Sequence, residues 1–301
     1  MTSRPVTKMG VSNGDRVFYA TINIIAVLIL IIIAYPLIYV LSASFSSPRA
    51  VLSGSVVFFP VEFGFEGYHA VFQYRDVVTG YMNSILYTAA GTTINVSMTF
   101  ICAYPLARKT LPFRNFFMFL FTFTMFFSGG LIPTYILIRQ LNMIDTIYAM
   151  IIPGAISVYN MIITRTYIQN SIPGEMLEAA QVDGCNDIRY FFQMVLPLSK
   201  AIIAVIALYY AVGHWNSWFN AFIYLNSRSK YPLQLILREI LIANTFDADR
   251  TVDPELLRKM QGMADLLKYS LIVIASAPML MLYPFAQKYF IRGVMIGSLK
   301  G

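Results

Sequence analysis

Charged residues are scarce in this chain. Asp, Glu, Lys and Arg make up 12% of its 301 residues, whereas 57% are hydrophobic and the mean hydropathy is +0.63. A soluble domain usually carries about 25% charge, so too few polar groups remain to cover a water-facing surface. Cysteine and histidine are also rare: Cys102, Cys185, His69 and His214 stand apart in the sequence. That spacing argues against a disulfide framework and against a zinc site.

Two sequence features that supply energy for transport in other proteins are also missing. The long apolar stretches contain no Asp or Glu, and proton-driven carriers generally need such an ionisable group at membrane depth. Sodium, in contrast, can be held by carbonyl and hydroxyl oxygens. The sequence also lacks the GxxxxGK[ST] phosphate loop. If ATP powers this protein, a partner subunit must bind ATP and Mg, and we expect no cofactor on this chain.

Six apolar stretches dominate the sequence, and each is long enough to cross a bilayer core, which needs about 20 residues. They are residues 17–41, 83–107, 116–138, 147–168, 201–225 and 269–290. The first could be a signal peptide, because Ser42-Ala43-Ser44 resembles a cleavage site, but its run of about 25 residues exceeds the usual 7–15. We predict a retained helix and a single all-α transmembrane domain over residues 1–301, with six spans.

The distribution of basic residues predicts the orientation. With the N-terminus inside, twelve Lys and Arg fall in cytoplasmic segments and three in outer loops, and seven more fall in the loop 226–268. Without that loop the count favours an arrangement with both termini inside. We expect 226–268 to be a small folded outer element. The net charge of +7 is spread over span ends rather than along a stripe, which favours a membrane protein over one that binds nucleic acid.

Residues 169–200 predict two short cytoplasmic helices joined at a glycine. Pro173 suits the first turn of a helix, and Glu175 complements the dipole there. Gly184 can adopt the left-handed conformation that ends this helix, and Asn186 or Asp187 can cap the next one. A helical spacing then predicts one apolar stripe, formed by Ile188, Phe191, Phe192, Val195 and Leu196. The alternative is a simple amphipathic linker between spans.

This segment resembles the EAA loop of bacterial ABC importer permeases, whose pattern is E-A-A, three residues, G, nine residues and I-x-L-P. Glu178-Ala179-Ala180, Gly184 and Leu196-Pro197 match it, whereas Met194 replaces the isoleucine. In the family the loop docks in a groove of the ATPase subunit. The resemblance therefore implies a set of ATPase-coupling residues: Glu178, Ala179, Ala180, Asp183, Gly184, Leu196 and Pro197.

Three further runs are similar to the carbohydrate branch of these permeases, which includes the maltose-type importers. They are 128–135 (SGGLIPTY), 214–218 (HWNSW) and 293–301 (GVMIGSLKG). Within the branch the resemblance is to permeases for complex oligosaccharides, including alginate-type importers. It implies a type I importer fold in a bacterial cytoplasmic membrane, with a second permease subunit as heterodimer partner, two ATPase subunits and an extracytoplasmic sugar-binding protein.

Polar residues in the apolar stretches are candidates for the sugar path. Contact between such side chains and lipid costs free energy, so we expect them to face a cavity or another helix. The candidates are Tyr210, His214, Trp215, Asn216 and Asn220 in the fifth stretch, with Asn95 and Asn160 in two others. Each could instead join helices together, and Trp218 suits an interfacial aromatic belt.

Ser128-Gly129-Gly130 and Pro133 interrupt the third stretch. Such an interruption predicts either a hinge or a site where helices pack closely. An ion-coupled secondary carrier or channel remains the alternative function, and a membrane scaffold without transport activity is a second one.

Overall fold

The computed structural model describes residues 13–243 and 254–298, and these two ranges are helical without any strand. The helices, in chain order, are α1 Asn13–Ser44, α2 Pro48–Leu52, α3 Glu66–Gln73, α4 Arg75–Ala107, α5 Arg114–Phe126, α6 Leu131–Gln140, α7 Ile147–Ile151, α8 Val158–Ser171, α9 Gly174–Val182, α10 Asp187–Tyr190, α11 Leu196–Leu198, α12 Lys200–Trp215, α13 Trp218–Tyr224, α14 Leu233–Ala243 and α15 Pro254–Ser298. A π-helical turn covers Phe191–Val195 and a 3₁₀ turn covers Arg228–Lys230.

Three helices in the described residues are long and apolar enough to cross a membrane alone: α1, α4 and the Gln261–Leu282 part of α15. Two bent pairs also qualify if each is one span. The pair α5 and α6 bends by 111°, and the pair formed by Asp187–Leu198 and α12 bends by 80°. The length and composition of these helices therefore support three to five spans, and the predicted count of six and the orientation stay predictions.

Interruptions explain why fewer uninterrupted spans occur than predicted. The break expected at Ser128-Gly129-Gly130 is present: Gly130 has φ +85 and precedes α6. The predicted fourth span is divided into α7 and α8 by residues 152–157, which include Pro153 and Gly154. The fifth is interrupted at Asn216 and Ser217, between α12 and α13. Proline limits helix continuation, whereas asparagine and serine compete with the helical backbone for hydrogen bonds.

The chain divides into two compact units, which we describe separately. The first holds the described residues of Met1–Ala70 and Asp249–Val273. Its core is Ala43, Ala50, Val51, Val56 and Leu266. Ser42 and Ser44 are buried in this unit, and α1 runs through the residues that resemble a cleavage site.

The second unit holds the described residues of Val71–Ala248 and Ile274–Gly301. Helix α4 is central to it and packs against α8, α12 and α14. The predicted outer element 226–268 begins with the 3₁₀ turn and α14. Several parts of the sequence predictions lie outside the described residues: 244–253 of that element, 299–301 of the last family-like run, and Arg4, Lys8, Arg250 and Lys300 of the charge count.

Candidate functional site

The first helix of the predicted coupling loop, α9, forms nearly as expected. Pro173 is its N-cap residue, one position earlier than the predicted first turn, and Glu175 lies in the first turn. The left-handed conformation predicted for Gly184 is confirmed, with φ +76. Two backbone bonds close the turn: the Gly184 amide donates to Gln181 O at 3.0 Å, and the Cys185 amide donates to Ala180 O at 2.9 Å. These bonds satisfy carbonyls that a helix end leaves without partners.

The second half of the loop departs from a regular helix. The predicted cap is confirmed, because Asn186 Oδ1 accepts a hydrogen bond from the Arg189 amide at 2.8 Å. In the π-helical turn that follows α10, backbone hydrogen bonds join residues five positions apart, one more than in an α-helix. The buried residues are consequently Tyr190, Val195 and Ser199, five and four positions apart.

This altered spacing makes the predicted apolar stripe wrong in part. Val195 is buried, whereas Ile188 is 71% exposed and Phe192 is 60% exposed. The π-helical turn is the physical reason, because it shifts the buried face out of the 3.6-residue register. The loop therefore presents large apolar side chains outward that a regular helix would have placed against the chain's own core.

Contacts at the C-terminal end of α4 hold the loop in place. Arg108 Nη1 forms an ion pair with Asp187 Oδ1 at 2.6 Å. The ring of Tyr104 lies 5.2 Å from the ring of Phe191. From α8, Gln169 Nε2 donates to Ala107 O at 3.1 Å. These contacts give the loop a defined position relative to α4 and α8.

The predicted coupling residues are mostly on the surface. Glu178, Ala179, Asp183, Gly184 and Pro197 are exposed, Leu196 is half-buried and Ala180 is buried in the core of the second unit. Val182, at the end of α9, is 88% exposed. We refer below to the exposed side chains of Val182, Ile188 and Phe192 as the apolar face of the loop. Sequence reasoning missed this face, because the outward position of Ile188 and Phe192 depends on the π-helical turn.

Two of the predicted sugar-path residues form hydrogen bonds with the interrupted segment 152–157. Tyr210 Oη accepts from the Ser157 amide at 3.0 Å and lies 2.7 Å from Thr99 Oγ1. Asn95 Nδ2 donates to Gly154 O at 3.0 Å. Backbone that leaves helical geometry at membrane depth needs such partners, because lipid supplies none.

Trp215 and His214 are also buried between helices. Trp215 is 2% exposed, its Nε1 donates to Ala275 O at 2.8 Å, and its ring meets Tyr81 edge-on at 5.7 Å. His214 lies against Gly91, where an added Cβ would come within 2.3 Å of His214 Nε2. For Trp215 the geometry supports the packing alternative over sugar contact.

Asn216 and Asn220 are the exposed members of the predicted path, whereas Asn160 is buried in α8. Asn216 ends α12 and donates from Nδ2 to Val212 O at 2.9 Å, which leaves its side-chain carbonyl available. Trp218 is half-buried, and the Arg238 guanidinium lies 3.8 Å from its ring centroid. This cation–π contact ties α13 to α14, in addition to any role in an aromatic belt.

Several buried polar atoms in the middle of α4 and at the C-terminal end of α12 have no hydrogen-bond partner within the described residues. They are Thr88 Oγ1, Thr92 Oγ1, Asn95 Oδ1 and His214 Nε2. Buried groups of this kind are commonly bridged by ordered water. The described residues contain no group of three or more His, Cys, Asp or Glu that could hold a metal.

A polar corner that sequence reasoning missed lies between α6 and α7. Asp145 Oδ1 accepts from the amides of Asn226 and Ser227 at 3.0 and 2.9 Å, and Oδ2 accepts from Lys230 Nζ at 2.8 Å. Together with the Ser227 hydroxyl, these donors hold the pKa of Asp145 well below its usual value, and Lys230 is the main cause. A lone aspartate between two apolar stretches gives no local signal of contacts made more than 80 residues away.

Comparison with known proteins connects this architecture to a family. No family model matches the chain. Protein LplC of Bacillus subtilis (strain 168) is 40% identical over 272 residues, which cover 88% of this chain and 89% of the relative. The polygalacturonan/rhamnogalacturonan transport system permease protein YtcP of the same organism is 37% identical over 288 residues, which cover 95% of this chain and 99% of the relative.

A solved structure agrees with these relatives. A chain of a bacterial ABC transporter involved in the import of the acidic polysaccharide alginate aligns with a TM-score of 0.83 and 31% identity, covering 93% of this chain and 98% of that chain. Identity at this level over nearly the full length of each relative, together with the shared fold, identifies the chain as an integral membrane protein that belongs to the carbohydrate ABC transporter permeases.

Proposed function

We propose that this chain is one of two membrane-spanning subunits of an importer for oligosaccharides derived from acidic polysaccharides. The names of two similar proteins support the substrate class, because polygalacturonan and alginate are both acidic polysaccharides. The chain itself performs no covalent chemistry. Movement of sugar across the membrane requires a path that opens alternately to either side, driven by states that a partner stabilises differently.

For the topology we propose six spans with both termini in the cytoplasm of a bacterial cell. The spans are α1, α4, the pair α5 and α6, the pair α7 and α8, the pair α12 and α13, and α15. The polar contacts of Asn95 and Tyr210 support treating α7 and α8 as one interrupted span, because they provide hydrogen bonds that the break removes. This arrangement puts residues 169–200 on the cytoplasmic side.

The apolar face of the loop is the observation that carries the coupling proposal. Three large side chains, Val182, Ile188 and Phe192, point away from the chain's own core. A cytoplasmic surface of this kind favours a protein partner, and the resemblance of the loop to the EAA loop suggests an ATPase subunit. We propose two such subunits, which bind ATP and Mg, together with a second permease and an extracytoplasmic binding protein.

Within the membrane we divide the predicted path residues into two groups. Asn216 and Asn220 are exposed and can offer hydrogen bonds to sugar hydroxyls. Tyr210, Asn95 and Trp215 instead hold the interrupted helices in one arrangement. His214 and Asn160 belong with them, because both are buried. Contacts to a transported sugar should be few and weak, since tight binding would prevent release.

The docking proposal is tested by placing a charge on the apolar face. Val182→Glu and Phe192→Glu should weaken association with the ATPase subunit by roughly 30-fold, as expected for loss of about 2 kcal/mol at an interface anchor. Gln193→Glu is the matched control, because Gln193 is exposed on the same loop and its Oε1 already accepts a hydrogen bond from Arg189 Nε.

The measurement is the affinity of the purified permease complex, in nanodiscs, for the isolated ATPase subunit, with total folded permease measured alongside. The control variant should bind as the wild type does. Wild-type affinity in all three variants would contradict the docking proposal. An equal loss of affinity in all three, including the control, would also contradict it.

A further inference from the structure

The segment that follows α2 carries several exposed large apolar side chains, four of which are Phe. Val57, Phe58, Phe59, Phe63 and Phe65 are all exposed, and Phe59 is 80% exposed. We refer to Val57–Phe59 as the tip of this segment. A patch of this size on a water-facing loop would be costly, so it requires a partner.

The tip is close to the membrane-spanning part of α1. The ring of Phe58 meets the ring of Tyr35 edge-on at 5.5 Å. Tyr35 is nine residues before the end of α1 at Ser44, which is about 13 Å along a helix. No charged residue occurs between Arg16 and Arg49, so Tyr35 belongs to the apolar run. The segment therefore folds back along α1 instead of extending away from the membrane.

The backbone of the segment is satisfied by α1 and the residues just after it. Ser42 Oγ donates to Phe58 O at 2.7 Å, and Ser46 Oγ accepts from the Val61 amide at 3.0 Å. The Gly64 amide donates to Phe45 O at 2.9 Å. Irregular backbone near lipid requires internal partners because hydrocarbon offers none. This pattern suits a segment at the boundary of the bilayer.

The position of Glu62 and the tyrosine contacts indicate how the segment is oriented relative to the membrane. Glu62 accepts a hydrogen bond from Ser47 Oγ, so its carboxylate is held beyond the end of α1. Tyr35 and Tyr39 have rings 6.5 Å apart, and Tyr39 meets Tyr269 at 5.6 Å. Amphipathic aromatic rings are enriched where membranes meet water. The tip is therefore the deepest part, and Glu62 is nearer to water.

We propose that the tip is a membrane anchor whose occupant is lipid, in the leaflet at the C-terminal end of α1. The exposed aromatic side chains continue the apolar surface of α1, and no residue in the most apolar stretch of this helix is buried within this chain. The anchor fixes the position of α1 and its following segment relative to the bilayer. This inference rests on the membrane location of the chain and is independent of the proposed sugar and ATPase partners.

The experiment uses the full-length permease complex in lipid bilayers, with Cys102 and Cys185 replaced by alanine. An NBD fluorophore is attached at Phe59→Cys, and at Glu66→Cys as the control. Glu66 is exposed in the first turn of α3, outside the aromatic segment. Because Phe59 is mostly exposed, the substitution removes little packing; Val57→Cys provides a second label on the tip.

At positions 57 and 59 we expect quenching by lipids with a doxyl group on the acyl chain to exceed quenching by aqueous iodide by about twofold or more, as for residues buried in the interface. At position 66 iodide should be the stronger quencher. Iodide quenching at the tip equal to that at position 66 would overturn the proposal. Protection of the tip from both quenchers would also overturn it, because a protein would then cover the tip.

Discussion

The turn at Gly184 allows a quantitative test of how the coupling loop is built. Its φ is +76, and an added Cβ would meet no atom within 4 Å. Substitution therefore changes backbone preference without adding a clash. Alanine should cost about 1–2 kcal/mol in this left-handed conformation, whereas asparagine visits the conformation more readily. Valine should cost the most, because a β-branched residue at positive φ is a genuine outlier.

We expect these costs to appear in the affinity for the ATPase subunit, provided that docking requires the turn. About 1.4 kcal/mol corresponds to a tenfold change in affinity, so Gly184→Ala should bind roughly tenfold more weakly. Gly184→Asn should fall between wild type and alanine, and Gly184→Val should be the weakest. The assay is binding of purified ATPase subunit to each variant in nanodiscs.

The order of the variants decides the interpretation. Backbone strain predicts that asparagine is better than alanine, although its side chain is larger. Steric interference at the interface predicts the reverse order. Equal binding by all four proteins, or a loss that increases with side-chain volume, would refute the argument that the left-handed turn is required. Normal sugar uptake by Gly184→Val would contradict its role in coupling.

Three further predictions concern other parts of the structure. Tyr210→Phe removes the acceptor for the Ser157 amide and should lower the free energy of unfolding by about 1–3 kcal/mol; an unchanged melting temperature in detergent would contradict this. Trp215→Ala should reduce the amount of folded complex, because filling its buried site contributes about 3–5 kcal/mol, whereas Asn216→Ala should reduce uptake per complex and leave its amount unchanged. Reduced uptake per complex from the Trp215 change, at a normal amount of complex, would show that packing is the wrong role. Because the folded pKa of Asp145 is lowered, its contribution to stability is present above the unfolded pKa of about 4 and is lost as pH falls further. Asp145→Asn should therefore lower the melting temperature at pH 7 and lower it less near pH 2, and an equal decrease at both values would exclude the charge as the cause.

The sequence predicted those features that depend on neighbouring residues. The left-handed turn at Gly184, the cap at Asn186 and the break at Ser128-Gly129-Gly130 follow from the conformational preferences of glycine and asparagine. The long helices α1 and α4 follow from uninterrupted apolar composition. These are local properties, so a single stretch of sequence contains the information.

The missed features depend on partners that are distant in the sequence. Pro153 and Gly154 are a recognisable local signal for a break in the helix. The hydrogen bonds that stabilise this break come from Asn95 and Tyr210, which lie on α4 and α12. The same contacts give these two predicted sugar-path residues a structural role that sequence cannot separate from substrate contact, because a polar residue facing a broken helix and one facing a cavity have the same pattern in sequence. The π-helical turn before Leu196 likewise had no separate signal.

Uptake of labelled oligogalacturonates and alginate-derived oligosaccharides by intact cells tests whether this chain serves an ATP-driven importer of acidic oligosaccharides. Deleting this chain should abolish uptake of at least one of them, and the wild-type chain should restore it. Uptake should persist when a protonophore collapses the proton gradient while cellular ATP is held constant, and it should stop when arsenate depletes ATP. Unchanged uptake of every sugar after deletion would contradict the account, and so would uptake that stops with the protonophore at constant ATP, which is the behaviour of an ion-coupled carrier.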